Sequence, residues 1–143
     1  MPQRRDRGDF VSRVSVFIAL LASIMASQDA QAQQSFATGQ TISPAYEGWT
    51  QNSDGSFDLV FGYMNRNWEE VIDVPVGPGN TIEPDGSDRG QPTHFQPRRN
   101  RFVFRVRVPA DFGEQELVWT LTTQGQTQRA YGTLKRDYYI DDL

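Results

Sequence analysis

From about residue 41 onward, apolar and polar positions alternate at period two, and clusters of turn residues separate the runs. In Phe57-Asp58-Leu59-Val60-Phe61-Gly62-Tyr63 the odd positions share one face, which predicts a strand over 56–65. The preceding Asp54-Gly55 is a tight-turn dipeptide. It suits a type I′ turn, whose two central residues both need positive φ, so 46–50 and 56–65 are predicted to form a hairpin. A third strand is predicted over 68–76, with Ile72, Val74 and Val76 on one face. Pro75 puts it at an edge or near its end, because proline cannot donate to a ladder.

The clearest alternation runs over 101–108. Phe102, Phe104, Val106 and Val108 point one way, and Arg101, Val103, Arg105 and Arg107 the other. Leu117, Trp119 and Leu121 form the inward face of the next strand, and Gln124-Gly125 turns the chain into a strand over 127–134. Tyr138-Tyr139-Ile140 is strand-like as well. Six or seven short strands at roughly ten-residue spacing predict an all-β fold. The expected architecture is an antiparallel β-sandwich, immunoglobulin-like or fibronectin-III-like, with a small β-barrel as the alternative. Trp119 is placed between the sheets. Residues 75–97 interrupt the pattern with five prolines and four glycines in 23 positions. They predict one long loop, and loops beyond about 12–15 residues are commonly functional or disordered.

The first 32 residues follow another logic. Arg4, Arg5, Arg7 and Arg13 make a basic leader, residues 14–26 an uncharged apolar run of 13, and Ala30-Gln31-Ala32 a small-x-small cleavage signal. That order is a secretory signal peptide, with cleavage expected after Ala32. The apolar run falls short of the roughly 20 residues a spanning helix needs, so no stable membrane span is expected after cleavage. The expected location is periplasmic or secreted. Residues 33–40 are small and polar and predict a disordered linker, leaving 41–143 as one domain.

Charge and composition narrow the chemistry. After residue 32 there are 15 acidic and 10 basic side chains, a net charge of −5. Five of the ten bases, Arg98, Arg99, Arg101, Arg105 and Arg107, fall within ten positions free of acids, so the remainder carries −10. Nucleic acid is not an expected partner of an acidic exported domain. With no cysteine there is no disulfide, thiolate nucleophile, zinc finger or iron–sulfur cluster. One histidine excludes HExxH zinc chemistry, and no GxSxG elbow occurs.

Several strings belong together. Tyr46-Glu47-Gly48-Trp49, Asp54-Gly55-Ser56-Phe57, Phe61-Gly62-Tyr63-Met64-Asn65-Arg66-Asn67-Trp68, Gly90-Gln91-Pro92-Thr93-His94-Phe95, Pro97-Arg98-Arg99 and Val118-Trp119-Thr120-Leu121-Thr122 span nearly all of the chain after the leader. The set resembles a family of exported bacterial proteins to which no activity is attached. The resemblance implies export and bacterial origin, and it transfers no catalytic residue.

Five constellations remain as candidate chemistry. His94, with Glu83, Asp85, Ser87 and Asp88 in the same loop, would serve a small hydrolase if a nucleophile and an orienting carboxylate lay beside it. Glu83, Asp85 and Asp88 are weak calcium candidates, because the spacing lacks the terminal bidentate glutamate of a calcium loop. Glu69, Glu70 and Asp73 invite a glycosidase reading, although a polar outer face explains them as well. Arg101, Arg105 and Arg107 make a stripe that either binds an anionic partner or pairs with carboxylates on neighbouring strands. Tyr46, Trp49, Tyr63 and Trp68 would stack on sugar rings if exposed and fill the core if not. The balance favours a non-catalytic binding, adhesion or accessory module, without a cofactor, for a protein or polysaccharide partner. A carbohydrate-binding module using Trp49, Trp68 and Tyr63 and a hydrolase using His94 are the alternatives.

Overall fold

A computed structural model describes residues 37–86 and 88–141, so the expected signal peptide, residues 33–36 and Ser87 lie outside the described residues. In chain order the strands are β1 (Ile42–Gln51), β2 (Phe57–Asn65), β3 (Ile72–Asp73), β4 (Asn80–Glu83), β5 (His94–Phe95), β6 (Arg98–Val108), β7 (Leu117–Thr123) and β8 (Gln126–Gly132). A single 3₁₀ turn, Arg136–Tyr138, follows.

Hydrogen bonding sorts them into β1-β2-β6, β4-β7-β8 and a two-stranded β3-β5 ladder, with every pair antiparallel. The two larger sheets reproduce the A-B-E and C-F-G order of an immunoglobulin-like sandwich, with strand D absent. The barrel alternative is not what forms. Where β1 approaches β7 and β8, side chains make the link instead of a ladder. Ile42 N donates to Thr123 Oγ1 (2.9 Å), Gln128 Nε2 to Thr41 Oγ1 (3.1 Å) and Tyr46 Oη to the Thr133 carbonyl (2.6 Å).

Leu59, Phe61, Val106 and Val108 from one sheet meet Ile82, Leu117, Trp119, Leu121 and Ala130 from the other. Trp119 is fully buried, edge-on to Phe61 and Phe104 and stacked with Phe95. β2 is buried on both faces because it is the central strand. Its outer face lies under two ion pairs, Arg107 to Asp58 (3.0 Å) and Arg99 to Glu47, the second spanning Gly62.

Turn chemistry matches the sequence in one hairpin and departs from it in the other. Gln124 and Gly125 (φ 51° and 70°) close β7 onto β8 as a two-residue primed turn. At β1–β2 only Gly55 takes positive φ (88°), and its N–H donates to the Asn52 carbonyl (3.0 Å). That is a type I turn followed by a left-handed glycine, in place of the expected type I′ turn. The carboxylate of Asp54 accepts the amide and hydroxyl of Ser56 instead of adopting positive φ itself.

Other expectations need correction. The predicted strand over 68–76 shrinks to Ile72–Asp73, because the buried Asn65 and Asn67 fold the preceding residues into a turn. Asn65 Nδ2 donates to the Glu70 carbonyl (2.9 Å), and Asn67 N donates to Asn65 Oδ1 (3.0 Å). Residues 37–40, expected as disordered linker, are tied to that turn by Glu69 N to the Ala37 carbonyl, Gly39 N to Glu70 Oε2 and Gln40 N to Asn67 Oδ1. The stretch 75–97 is not one structureless loop, since it contains β4 and β5. Tyr138 to Ile140 do not form a strand. They contribute a 3₁₀ turn and one parallel bridge, Trp49 with Tyr139.

The largest departure is at Phe102. Between the pairs Phe61↔Phe104 and Tyr63↔Asn100, three β6 residues face Gly62 alone, so β6 bulges. Phe102 takes φ 52° and is 47% exposed, and Val103 is exposed beside it. The inward Phe102 of the alternation is therefore overturned by two extra residues in one strand.

Candidate functional site

The sequence Asn65-Arg66-Asn67 ends β2 with two side chains that bond backbone more readily than they continue a ladder. Both are fully buried. Besides the turn, Asn65 Nδ2 reaches the Phe95 carbonyl (3.1 Å), Asn67 Nδ2 reaches the Gln40 carbonyl (2.9 Å), and Arg98 N donates to the Asn67 carbonyl (3.2 Å). The two asparagines thus lock three chain segments together at one end of the sandwich. The turn they hold throws Trp68 outward, 59% exposed, with Met64 and Val71 also exposed.

Arg98, itself at φ 69°, lays its guanidinium 5.1 Å from the centroid of the Trp68 ring. Arg101 sits 5.9 Å from the ring of Phe102 on the bulge. Alongside, the β3-β5 ladder sets Asp73 opposite His94, with Nδ1 2.6 Å from Oδ1 and both side chains exposed. Trp68, His94 and Arg101 thus share one end, although 33 positions separate the first from the last.

The arginine strand divides by role. Arg107 and Arg99 are spent on Asp58 and Glu47. The hydrogen bond from Arg107 holds the Asp58 carboxyl below the usual range against the opposing effect of burial, with help from Asn52. The charge of Arg105 reaches the same carboxylate without forming an ion pair. Arg98 and Arg101 lie over aromatic rings, and no carboxylate of a described residue is within ion-pair distance of either. β6 is also a sheet edge, but it is poorly suited to adding another strand. The bulge, the charged side chains and Arg89 Nη2 on the Arg107 carbonyl (3.3 Å) all obstruct pairing there.

The remaining candidates disperse. Trp49 is half-buried at the opposite end, its Nε1 donating to the Lys135 carbonyl (2.8 Å) and its ring against Phe57 and Tyr139. It pairs with Leu59, six residues along β2 from Asn65, or about 20 Å at strand rise. Trp49 and Trp68 therefore do not form one platform. Tyr63 is core: its ring meets Phe95, its hydroxyl accepts from Gln96 N (2.8 Å), and burial raises its pKa. Burial likewise raises the Tyr46 phenol, whose hydroxyl is held by Thr133.

His94 finds its carboxylate in Asp73, not in Glu83, Asp85 or Asp88, and no hydroxyl of a described residue bonds its ring. Asp73 shares a strand with neither Glu69 nor Glu70, and Glu70 is engaged by Gly39 N. Glu83, Asp85 and Asp88 are exposed, and Asp88 accepts from Gly90 N (3.2 Å). Among the described residues no group of three or more His, Asp or Glu side chains is arranged to hold a metal ion. A cavity of about 390 Å³ lined by Gly113, Glu114, Glu116, Thr133, Leu134 and Lys135 lies beside Trp49 and contains none of the predicted site residues.

Sequence reasoning missed Phe102 and Met64 as surface, and Asp73 as the partner of His94. Only the Asn-x-Asn after β2 signalled a turn there. Comparison with protein-family models, with curated proteins and with solved structures finds no match. Among the described residues no helix is long and apolar enough to cross a membrane.

Proposed function

We propose that the chain is an exported, non-catalytic binding module that engages a macromolecular partner through the Trp68 end. The observation that carries this is the exposed Trp68 capped by Arg98, together with the exposed Phe102 held at positive φ on the β6 bulge. Tryptophan, arginine, phenylalanine and methionine are the residue types that concentrate binding energy at interfaces. A bulky residue at positive φ costs about 1–3 kcal/mol, and such strain is found chiefly where a surface has a task. Export rests on the basic, apolar and small-residue order of the first 32 residues. The Asp73–His94 pair supplies a base with its orienter but no nucleophile, so binding accounts for more of this end than hydrolysis does.

The test is a screen of immobilised wild-type chain and of Trp68→Ala and Phe102→Ser against a random 12-residue peptide library and a glycan array. Ligands retained by the wild type and lost by both variants are expected. Trp68→Ala should leave the urea midpoint within about 0.5 kcal/mol of wild type, as for surface substitutions generally. If every ligand found binds the variants equally well, the module does not work through this end.

A further inference from the structure

We infer that the partner at the Trp68 end is an extended acidic polypeptide segment carrying an apolar anchor, a conclusion that rests on the binding-module reading above. The first ground is charge. After residue 32 the chain has 15 acids to 10 bases, yet Arg98 and Arg101 take aromatic rings as neighbours and leave the carboxylates to Arg99 and Arg107. A guanidinium whose neighbour is a ring face and not a carboxylate keeps N–H donors for an incoming carboxylate, which can accept two of them. Arg98 and Arg101 thus leave cationic donors on β6 of a chain whose remaining charge is acidic.

The second ground is the apolar side chains exposed on the same two paired strands, Met64 on β2 and Phe102 and Val103 on β6. Met64 and Val103 would gain little from a uronate polysaccharide, whose rings stack on aromatic faces but offer no side chains for an aliphatic surface. A polypeptide supplies both components, carboxylates for the arginines and a Leu or Phe for the exposed apolar side chains. A nucleic acid would bring its phosphates close to a remainder carrying −10. Contact is through side chains, because the bulge and Arg89 obstruct strand addition to β6.

The experiment sequences the library peptides retained by the full chain and titrates a fluorescent acidic peptide, with Asp and Glu flanking Phe-Leu, beside its Lys-substituted counterpart and an oligogalacturonate. Enrichment of Asp and Glu around one aromatic or aliphatic position is expected. The acidic peptide should bind at least about tenfold more tightly than the Lys peptide, and raising salt from about 50 to about 500 mM should weaken it by about tenfold. The double variant R98Q/R101Q should remove that preference and the salt dependence together. Equal affinity for the two peptides, enrichment of neutral or basic sequences, binding of the oligogalacturonate alone, or self-association abolished by Trp68→Ala would each overturn the inference. A neutral ligand still dependent on Trp68 would end this inference and leave the binding-module reading standing. With no Trp68-dependent ligand of any kind, both fall.

Discussion

Replacing Asn80 by alanine should be among the most damaging single changes in the domain. Its side chain is fully buried at the start of β4. Nδ2 donates to the carbonyls of Val74 (3.1 Å) and Pro92 (2.8 Å), and Oδ1 accepts the Trp119 indole N–H (2.9 Å). One amide thereby joins both ends of the former loop region to the central tryptophan of the core. Truncation leaves three buried polar groups without partners, each costing about 1–3 kcal/mol. A water entering the vacated space can bridge two of them, which holds the expected loss to about 3–5 kcal/mol. Against a total stability of about 5–15 kcal/mol that is a large fraction. The melting temperature should fall by at least about 12 °C, at about 4–8 °C per kcal/mol for a domain of this size. Urea unfolding followed by tryptophan fluorescence should show the midpoint move with the slope unchanged. Asn80→Asp sharpens the test. It keeps an acceptor for Trp119 but presents oxygen to two carbonyls, so it should be no milder than alanine. A loss below about 1 kcal/mol for Asn80→Ala, or a clearly milder Asn80→Asp, would refute the hydrogen-bond account.

Gly62→Ala would press a methyl against the Asn100 carbonyl and the Glu47 carboxylate, at a cost of about 1–3 kcal/mol by overpacking, readable in the same urea experiment. The folded-state pKa of Asp58 is depressed, first by its hydrogen bond from Arg107, so its contribution is complete above the unfolded value near 3.9 and is lost as pH falls through the folded value. Arg107→Gln should therefore lower the urea midpoint at neutral pH by an amount that shrinks below about pH 4 and disappears once both proteins are fully protonated. His94→Ala should change stability by less than about 1 kcal/mol in the same assay, because its contact with Asp73 is exposed.

How far the fold could be read ahead varies strand by strand. β2 and β7 are legible because Phe57-x-Leu59-x-Phe61-x-Tyr63 and Leu117-x-Trp119-x-Leu121 each put their large apolar side chains on one face of a single uninterrupted pleat. β4 was hidden among prolines and glycines. Only Asn80 and Ile82 face inward there, too few to set a period, and what holds β4 is its pairing with β7, some 35 positions further on. The site was read in pieces. Trp68, His94 and Arg101 were each singled out, but their shared location follows from the buried amides of Asn65 and Asn67, whose partners Phe95, Gln40 and Arg98 are remote in the chain.

From its sequence alone the chain determined an all-β composition, the faces of β2 and β7, the Gln124-Gly125 turn and a tryptophan at the centre of the core. Those follow from side-chain period and φ preference, which are local properties of the backbone. Tertiary structure alone decided that β6 would bulge and expose Phe102, that Asp73 would meet His94, and that Arg98 would cover Trp68 while Arg99 and Arg107 took the carboxylates. Register between strands and the neighbours of an arginine depend on which segments the fold brings together, and no window along one strand contains that information.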